Sequence, residues 1–205
     1  MTVVETSLFQ AIFEALLAQS GWEWLAAGLG IAYVILAARE SIWCWPAAFF
    51  STMIYTVLFW EGQLPMQALL NFYYLAMAVY GFMLWKKHAR HEDNISIHSK
   101  PIKFHLIFIA SGLALTALIG TYLSSSPENR LPYLDALVTV FSIMTTVLMA
   151  RKVLENWLYW IVIDSLAIAL YWQTGFYVTI IMFMVYLVLA VYGYKNWKTL
   201  IKSKA

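Results

Sequence analysis

Asp164 is a lone carboxylate in the middle of an apolar run, ENWLYWIVIDSLAIALYW (155–172), and Trp157 and Trp160 precede it at spacings that put all three on one helical face. A second stripe, Gln67, Asn71, Tyr74, Ala78 and Gly81, recurs at helical spacing in QALLNFYYLAMAVYGFMLW (67–85). Aromatic faces, amide and hydroxyl groups and a carboxylate suit a solute with an aromatic ring, polar appendages and a positive charge. Stacking a cation on an aromatic face contributes about 0.5–2 kcal/mol, more when water is excluded. Such groups bind and do not suggest catalysis, so neither an enzyme nor a cofactor or metal is expected. Cys44 is the sole cysteine, which rules out an intramolecular disulfide and a thiolate metal cage.

The elements that must position these groups are membrane spans. Of 205 residues, 62% are hydrophobic and 12% charged, and the mean hydropathy is +0.71, values outside those of ordinary soluble domains. About 20 apolar residues cross a hydrocarbon core of about 30 Å. Runs of that kind are expected over 21–39, 43–60, 64–85, 104–122, 132–150, 154–173 and 177–195. The connectors are too short for a soluble catalytic domain. The segment 1–20 carries Glu5 and Glu14 in place of a basic start and is not read as a secretory signal. Val4, Leu8, Ile12 and Leu16 predict an amphipathic helix lying on the bilayer surface.

With seven spans, one face receives Arg39, Lys86, Lys87, Arg90, Lys100, Lys103, Arg151, Lys152, Lys195, Lys198, Lys202 and Lys204, and the other only Arg130. Basic residues accumulate on the cytoplasmic side, so the C terminus is expected in the cytoplasm and the N terminus outside. The basic connector with His88, His91 and His98 reads as a solvated loop and receives no function.

The chain repeats itself. Laying 58–85 on 170–197 without gaps gives nine identities: Leu58, Trp60, Tyr74, Leu75, Ala78, Val79, Tyr80, Gly81 and Trp85 recur. The same register carries Arg39 onto Arg151 and Trp45 onto Trp157. Spans one to three then correspond to five to seven, and span four is a linker that makes the two triplets parallel. The expected order is an N-terminal helix (1–20), a first three-helix repeat (21–85), a basic loop and linker helix (86–131), a second repeat (132–197) and a basic tail (198–205). Parallel repeats are a transporter architecture, with the solute near the midplane at the repeat interface. The register pairs Asp164 with Thr52, Gln67 with Thr179 and Asn71 with Phe183, which adds Thr52 and Phe183 to the candidate lining and makes it asymmetric.

Plainer readings of the same residues stand beside this one. Trp60, Trp85, Trp172 and Trp197 sit at span boundaries, where an interfacial belt is the usual explanation, and Trp157 and Trp160 divide evenly between belt and pocket. Gln67 and Asn71 are also suited to hydrogen bonds between helices, each contributing about 1 kcal/mol. Asp164 lies too deep to bridge to Arg39 or Arg151.

Seven spans in a three-one-three order, with the Asn71 stripe on the third and Trp-x-x-Trp before Asp164 on the sixth, resemble the PnuC family of bacterial vitamin transporters, most closely its nicotinamide riboside members. The resemblance covers the chain from span one to span seven and implies a SWEET-like fold in the bacterial inner membrane. It also implies nicotinamide riboside as substrate, taken up by facilitated diffusion and trapped by a cytoplasmic riboside kinase for NAD synthesis. The motif-bearing positions are Gln67, Asn71, Trp157, Trp160 and Asp164; Tyr74, Thr52 and Phe183 come from geometry and symmetry. The resemblance allows a homotrimer, offers no role for nucleic acid, and leaves thiamine or a sugar as alternative solutes. A retinal photoreceptor lacks its buried lysine here, an intramembrane protease lacks a deep histidine, and a structural subunit would bind no solute.

Overall fold

The computed structural model describes residues 10, 13, 14, 16–61, 65–89, 96–125, 131–174 and 177–204, the side chains of 65–67, 88, 89, 174, 177 and 204 excepted. The expected surface helix over 1–20 falls largely outside the described residues. Among those described, the chain forms seven helices: α1 (Gly21–Ala38), α2 (Cys44–Glu61), α3 (Pro65–Ala89), α4 (Ile102–Leu123), α5 (Pro132–Ala150), α6 (Asn156–Thr174) and α7 (Tyr177–Lys204). Five of them, α1, α3, α4, α5 and α7, are long and apolar enough to cross a membrane. The other two, α2 and α6, have the length, but Trp, Tyr, Ser and Thr dilute their apolarity, as does Asp164 in α6. At about 1.5 Å per residue α7 is roughly 42 Å long, longer than a hydrocarbon core. The tail expected over 198–205 is therefore mostly the last turns of α7.

Local sequence sets the helix ends. Ser20 and Glu23 form a reciprocal capping box at the start of α1, satisfying two backbone donors that would otherwise be orphaned. Proline opens α3 and α5, where its missing N–H is no loss. The C-termini of α1 and α5 share one geometry. Arg39 and Arg151 have φ near −86° and −87°, and each is followed by a residue with positive φ, Glu40 at 57° and Lys152 at 54°. Each turn closes with paired backbone bonds, Glu40 N to Ala37 O and Ser41 N to Leu36 O in one, Lys152 N to Met149 O and Val153 N to Leu148 O in the other. A left-handed residue other than glycine costs about 1–2 kcal/mol. Here the two meet: Lys152 Nζ lies 2.7 Å from Glu40 Oε1, a largely sheltered pair drawn from opposite halves of the chain.

Helix α1 packs on α2, α2 on α3, α5 on α6 and α6 on α7, and the two groups meet where α1 packs on α7 and α3 on α5. Among the described residues, backbone-close packing of α4 is with α5. Its buried stripe is Phe108, Gly112, Thr116 and Gly120, and a Cβ at Gly112 or Gly120 would strike the Phe141 or Tyr133 ring. Small residues every fourth position let two membrane helices approach closely.

The end of the bundle where the basic residues at and beyond the ends of α1, α3, α5 and α7 lie holds most of the largest fully buried side chains. Trp45 meets Trp85 edge to face with ring centroids 5.4 Å apart, and Trp157 meets Trp197 in the same way, also at 5.4 Å. Gly81 lies against the Trp45 ring and Gly193 against the Trp157 ring. The indole N–H of Trp85 donates to Ala150 O at 2.9 Å and that of Trp197 to Ala37 O at 3.0 Å, while Asn196 Nδ2 donates to Ala38 O at 2.8 Å. The third helix of each group thus caps the first helix of the other. This corrects the belt reading of Trp85 and Trp197, which are 5% and 0% exposed, whereas Trp60 and Trp172 are 71% and 60% exposed. Their indoles turn inward because the carbonyls of α1 and α5 need donors there.

The described end of the connector before α4, residues 96–101, is tied to the protein rather than solvated throughout. His98 N donates to Lys152 O and Leu154 N to His98 O, a single parallel bridge that carries Ile97 into the core between α1, α3, α5 and α7.

Candidate solute-binding site

Asp164 is the ninth residue of α6 and is 3% exposed. It has no hydrogen-bond partner among the described residues. Its electrostatic neighbours are Tyr74 of α3 and Tyr186 of α7. At about 1.5 Å per residue, Asp164 lies roughly 12 Å along α6 from the basic end, and Tyr74 and Tyr186 lie roughly 13–14 Å along their helices from the opposite end. All three therefore sit near the middle of a bilayer-sized slab. A carboxylate without a partner at that depth is costly, which is why intramembrane acids mark solute and ion pathways.

Further aromatic groups pack against these neighbours of the carboxylate. Phe183 stacks on Tyr171 at 5.5 Å and 22° and meets Tyr186 edge to face at 6.0 Å. Trp160 borders both hydrophobic clusters, the one at the basic end and the one that α4, α5 and α6 share. The Tyr74 hydroxyl has the Ser142 side chain of α5 as its polar contact. The Tyr186 hydroxyl lies over Gly30 of α1, where an added Cβ would be 2.7 Å from it. Ser51, buried beside Gly30, donates its hydroxyl to Ala26 O at 2.7 Å.

The residues nominated from the sequence divide as follows. Asp164 and Tyr74 are electrostatic neighbours, Phe183 meets Tyr186, which also neighbours Asp164, and Trp160 lies one turn of α6 from Asp164. Asn71 is half-buried one turn from Tyr74 and is already engaged. The Thr52 hydroxyl bonds back to Ala48 O at 2.8 Å, leaving only its lone pairs for a solute. Gln67 lies on α3, with its side chain outside the described residues. Trp157 is enclosed at 1% exposure, with Gly193 on its face and Trp197 at its edge, two turns from Asp164. It occupies the place that Trp45 occupies in the first half, so its ring packs the protein. Tyr186, Tyr171, Ser142 and Gly30 were not nominated. The repeat register maps Tyr74 onto Tyr186 as an identity and Gly30 onto Ser142, and that signal was sufficient to find three of them.

A carboxylate flanked by hydroxyls and rings has the means to accept hydrogen bonds from a polyol, balance a cation and hold an aromatic plane. Among the described residues no group of His, Cys, Asp and Glu is arranged to hold a metal.

Known proteins of similar sequence point the same way. A family model described as nicotinamide mononucleotide transporter matches residues 20–199. The nicotinamide riboside transporter PnuC of Neisseria mucosa is 27% identical over 191 residues, covering 87% of this chain and 72% of that protein. The PnuC of Escherichia coli K12 is 22% identical, covering 82% and 81%. The riboflavin/roseoflavin transporter RibM of Streptomyces davaonensis is 25% identical over 175 residues, covering 82% and 80%. The crystal structure of the vitamin B3 transporter PnuC superposes with a TM-score of 0.75 at 25% identity, covering 100% of this chain and 94% of that one.

Proposed function

The chain belongs to the nicotinamide mononucleotide transporter family, a family of multi-pass membrane transporters that includes PnuC, and from that membership we propose that its solute is nicotinamide riboside. The observation that carries the reading is Asp164, a buried carboxylate with no protein hydrogen-bond partner among the described residues, set among aromatic rings and hydroxyls. Nicotinamide riboside brings a pyridinium cation to balance the carboxylate, ribose hydroxyls to donate to it and a flat ring for Trp160 and Phe183. A phosphate on the ribose would face Asp164 with like charge, and none of the neighbours described above is cationic, so the mononucleotide is rejected. Intracellular phosphorylation by a kinase then converts the riboside into a form that cannot leave, and the product feeds NAD synthesis.

The arrangement supports the following transport cycle. Helices α1–α3 and α5–α7 act as two parallel units in a SWEET-like plan, joined by α4 and rocking about the midplane site so that one side closes as the other opens. The basic end faces the cytoplasm of the bacterial inner membrane. Transport is facilitated diffusion, because among the described residues no second carboxylate, histidine or lysine acts on Asp164 to relay a proton.

Calorimetric titration of the detergent-solubilised protein tests the reading, with nicotinamide riboside as ligand and nicotinamide mononucleotide, thiamine and riboflavin as comparators. Riboside binding alone is expected. Replacing the carboxylate by an amide removes a charged acceptor contributing about 1.5–3 kcal/mol, so Asp164→Asn weakens the riboside by about ten- to a hundredfold. Thiamine or riboflavin binding in place of the riboside would keep the site and change the substrate. An Asp164→Asn protein that binds as the parent does would remove Asp164 from the site.

A further inference from the structure

The two halves present the same tyrosine to the site, but they treat its hydroxyl differently. Tyr74 of α3 reaches across to α5 and finds the Ser142 side chain. Tyr186 of α7 reaches across to α1 at the position that the repeat register pairs with Ser142, and there the residue is Gly30. With no side chain on Gly30, the Tyr186 hydroxyl sits directly over the α1 backbone, 2.7 Å from where a Cβ would stand, and has no hydrogen-bond partner among the described residues. No hydrogen bond joins it to the nearby Ser51, whose own proton goes to Ala26 O. A phenol group in the membrane interior is normally hydrogen-bonded. The Tyr186 phenol, without a protein partner among the described residues, lies within electrostatic reach of Asp164, a buried carboxylate likewise without one among them.

We propose that Tyr186 is the specificity-determining hydroxyl of the solute site and that Gly30 keeps it available, so that Tyr186 and Asp164 together recognise the ribose hydroxyls. The division of labour is chemical. An ionised carboxylate only accepts hydrogen bonds, whereas a phenol also donates. A pair of neighbouring sugar hydroxyls satisfies both: one donates to Asp164, and the oxygen of the other accepts from Tyr186. A methyl group at position 30 would drive the phenol off its seat, and a serine there would supply the partner that Ser142 gives Tyr74. This inference rests on the riboside reading given above and adds the group that distinguishes a riboside from a ring without its sugar.

The test compares four variants by calorimetric titration with nicotinamide riboside and with its analogue lacking the ribose 2′-hydroxyl, after size-exclusion chromatography has shown each to be monodisperse. Tyr186→Phe is expected to weaken the riboside about tenfold, the size of one lost hydrogen bond, and to shrink the parent's preference for the riboside over the deoxy analogue. Gly30→Ala weakens the riboside by a similar factor or more, while Gly28→Ala, on the same helix with open space beside it, does not change it. Tyr74→Phe, whose hydroxyl already has Ser142, causes a smaller loss than Tyr186→Phe. A Tyr186→Phe protein with the parent's affinity and the parent's preference would overturn the inference while leaving the riboside reading intact. A parent protein that binds no riboside would overturn both. Should Gly30→Ala prove unstable, Tyr186→Phe and the analogue on the unmodified protein still decide the matter.

Discussion

Gly81→Ala puts a methyl group where the structure has no room for one. The added Cβ would stand 2.4 Å from the Trp45 ring, against an ordinary carbon contact of about 3.5–4.0 Å, so the ring must retreat by roughly 1.2 Å. It has nowhere to go: Trp45 is buried, and its neighbour Trp85 is held edge-on at 5.4 Å and fixed by its bond to Ala150 O at 2.9 Å. Overpacking of this kind costs about 1–3 kcal/mol, and stretching the Trp85 bond beyond hydrogen-bonding distance adds about 1 kcal/mol. Alanine's better helix propensity returns about 1 kcal/mol, leaving a net loss of about 1–3 kcal/mol. Unfolding by sodium dodecyl sulfate in mixed micelles, followed by circular dichroism, measures the change. Gly28→Ala, with nothing within 4 Å of the new methyl, is the control. Equal stability of Gly81→Ala and Gly28→Ala would refute the argument that Trp45 is immobile.

Two further outcomes are expected. In a double-mutant cycle of Glu40→Gln and Lys152→Met, each single variant destabilises the protein and the double variant loses less than their sum, since removing one partner leaves a sheltered charge unpaired; strictly additive losses in the same detergent titration would mean that the pair contributes nothing. Riboside uptake into proteoliposomes is expected to equilibrate at the same level with or without a proton gradient, and accumulation that follows the gradient would show that transport is proton-coupled.

Much of this architecture was legible in the sequence because membrane spans announce themselves by length and apolarity, and because the repeat is ungapped. The ends of α1 and α5 fall at Ala38 and Ala150, positions that the repeat register pairs, and the expected span limits lie within a few residues of the helix limits except for the extended ends of α3 and α7. What was hidden depended on contacts that no periodicity encodes. Trp85 and Trp197 read as interfacial because a window over α3 or α7 does not see the carbonyls of α5 and α1 that they cap. Ile97 read as loop because its burial comes from one bridge to Val153. Within the site, Asp164 and Tyr74 stood out by type and depth. Tyr186 did not, because its distinction is the missing side chain at Gly30, visible only when the two halves are laid together.

The crossed terminators at the basic end have a consequence for how the halves combine. Each half carries the groups that end the other half's first helix, and the two tight turns there have diverged into opposite charges, Glu40 in one and Lys152 in the other. Two copies of the first half would set glutamate against glutamate in that sheltered place, and two copies of the second would set lysine against lysine. An assembly of two identical halves would need some other contact there. With the charges divided between Glu40 and Lys152, the halves are not interchangeable at this turn, and a single chain carrying both supplies the two charges in equal number.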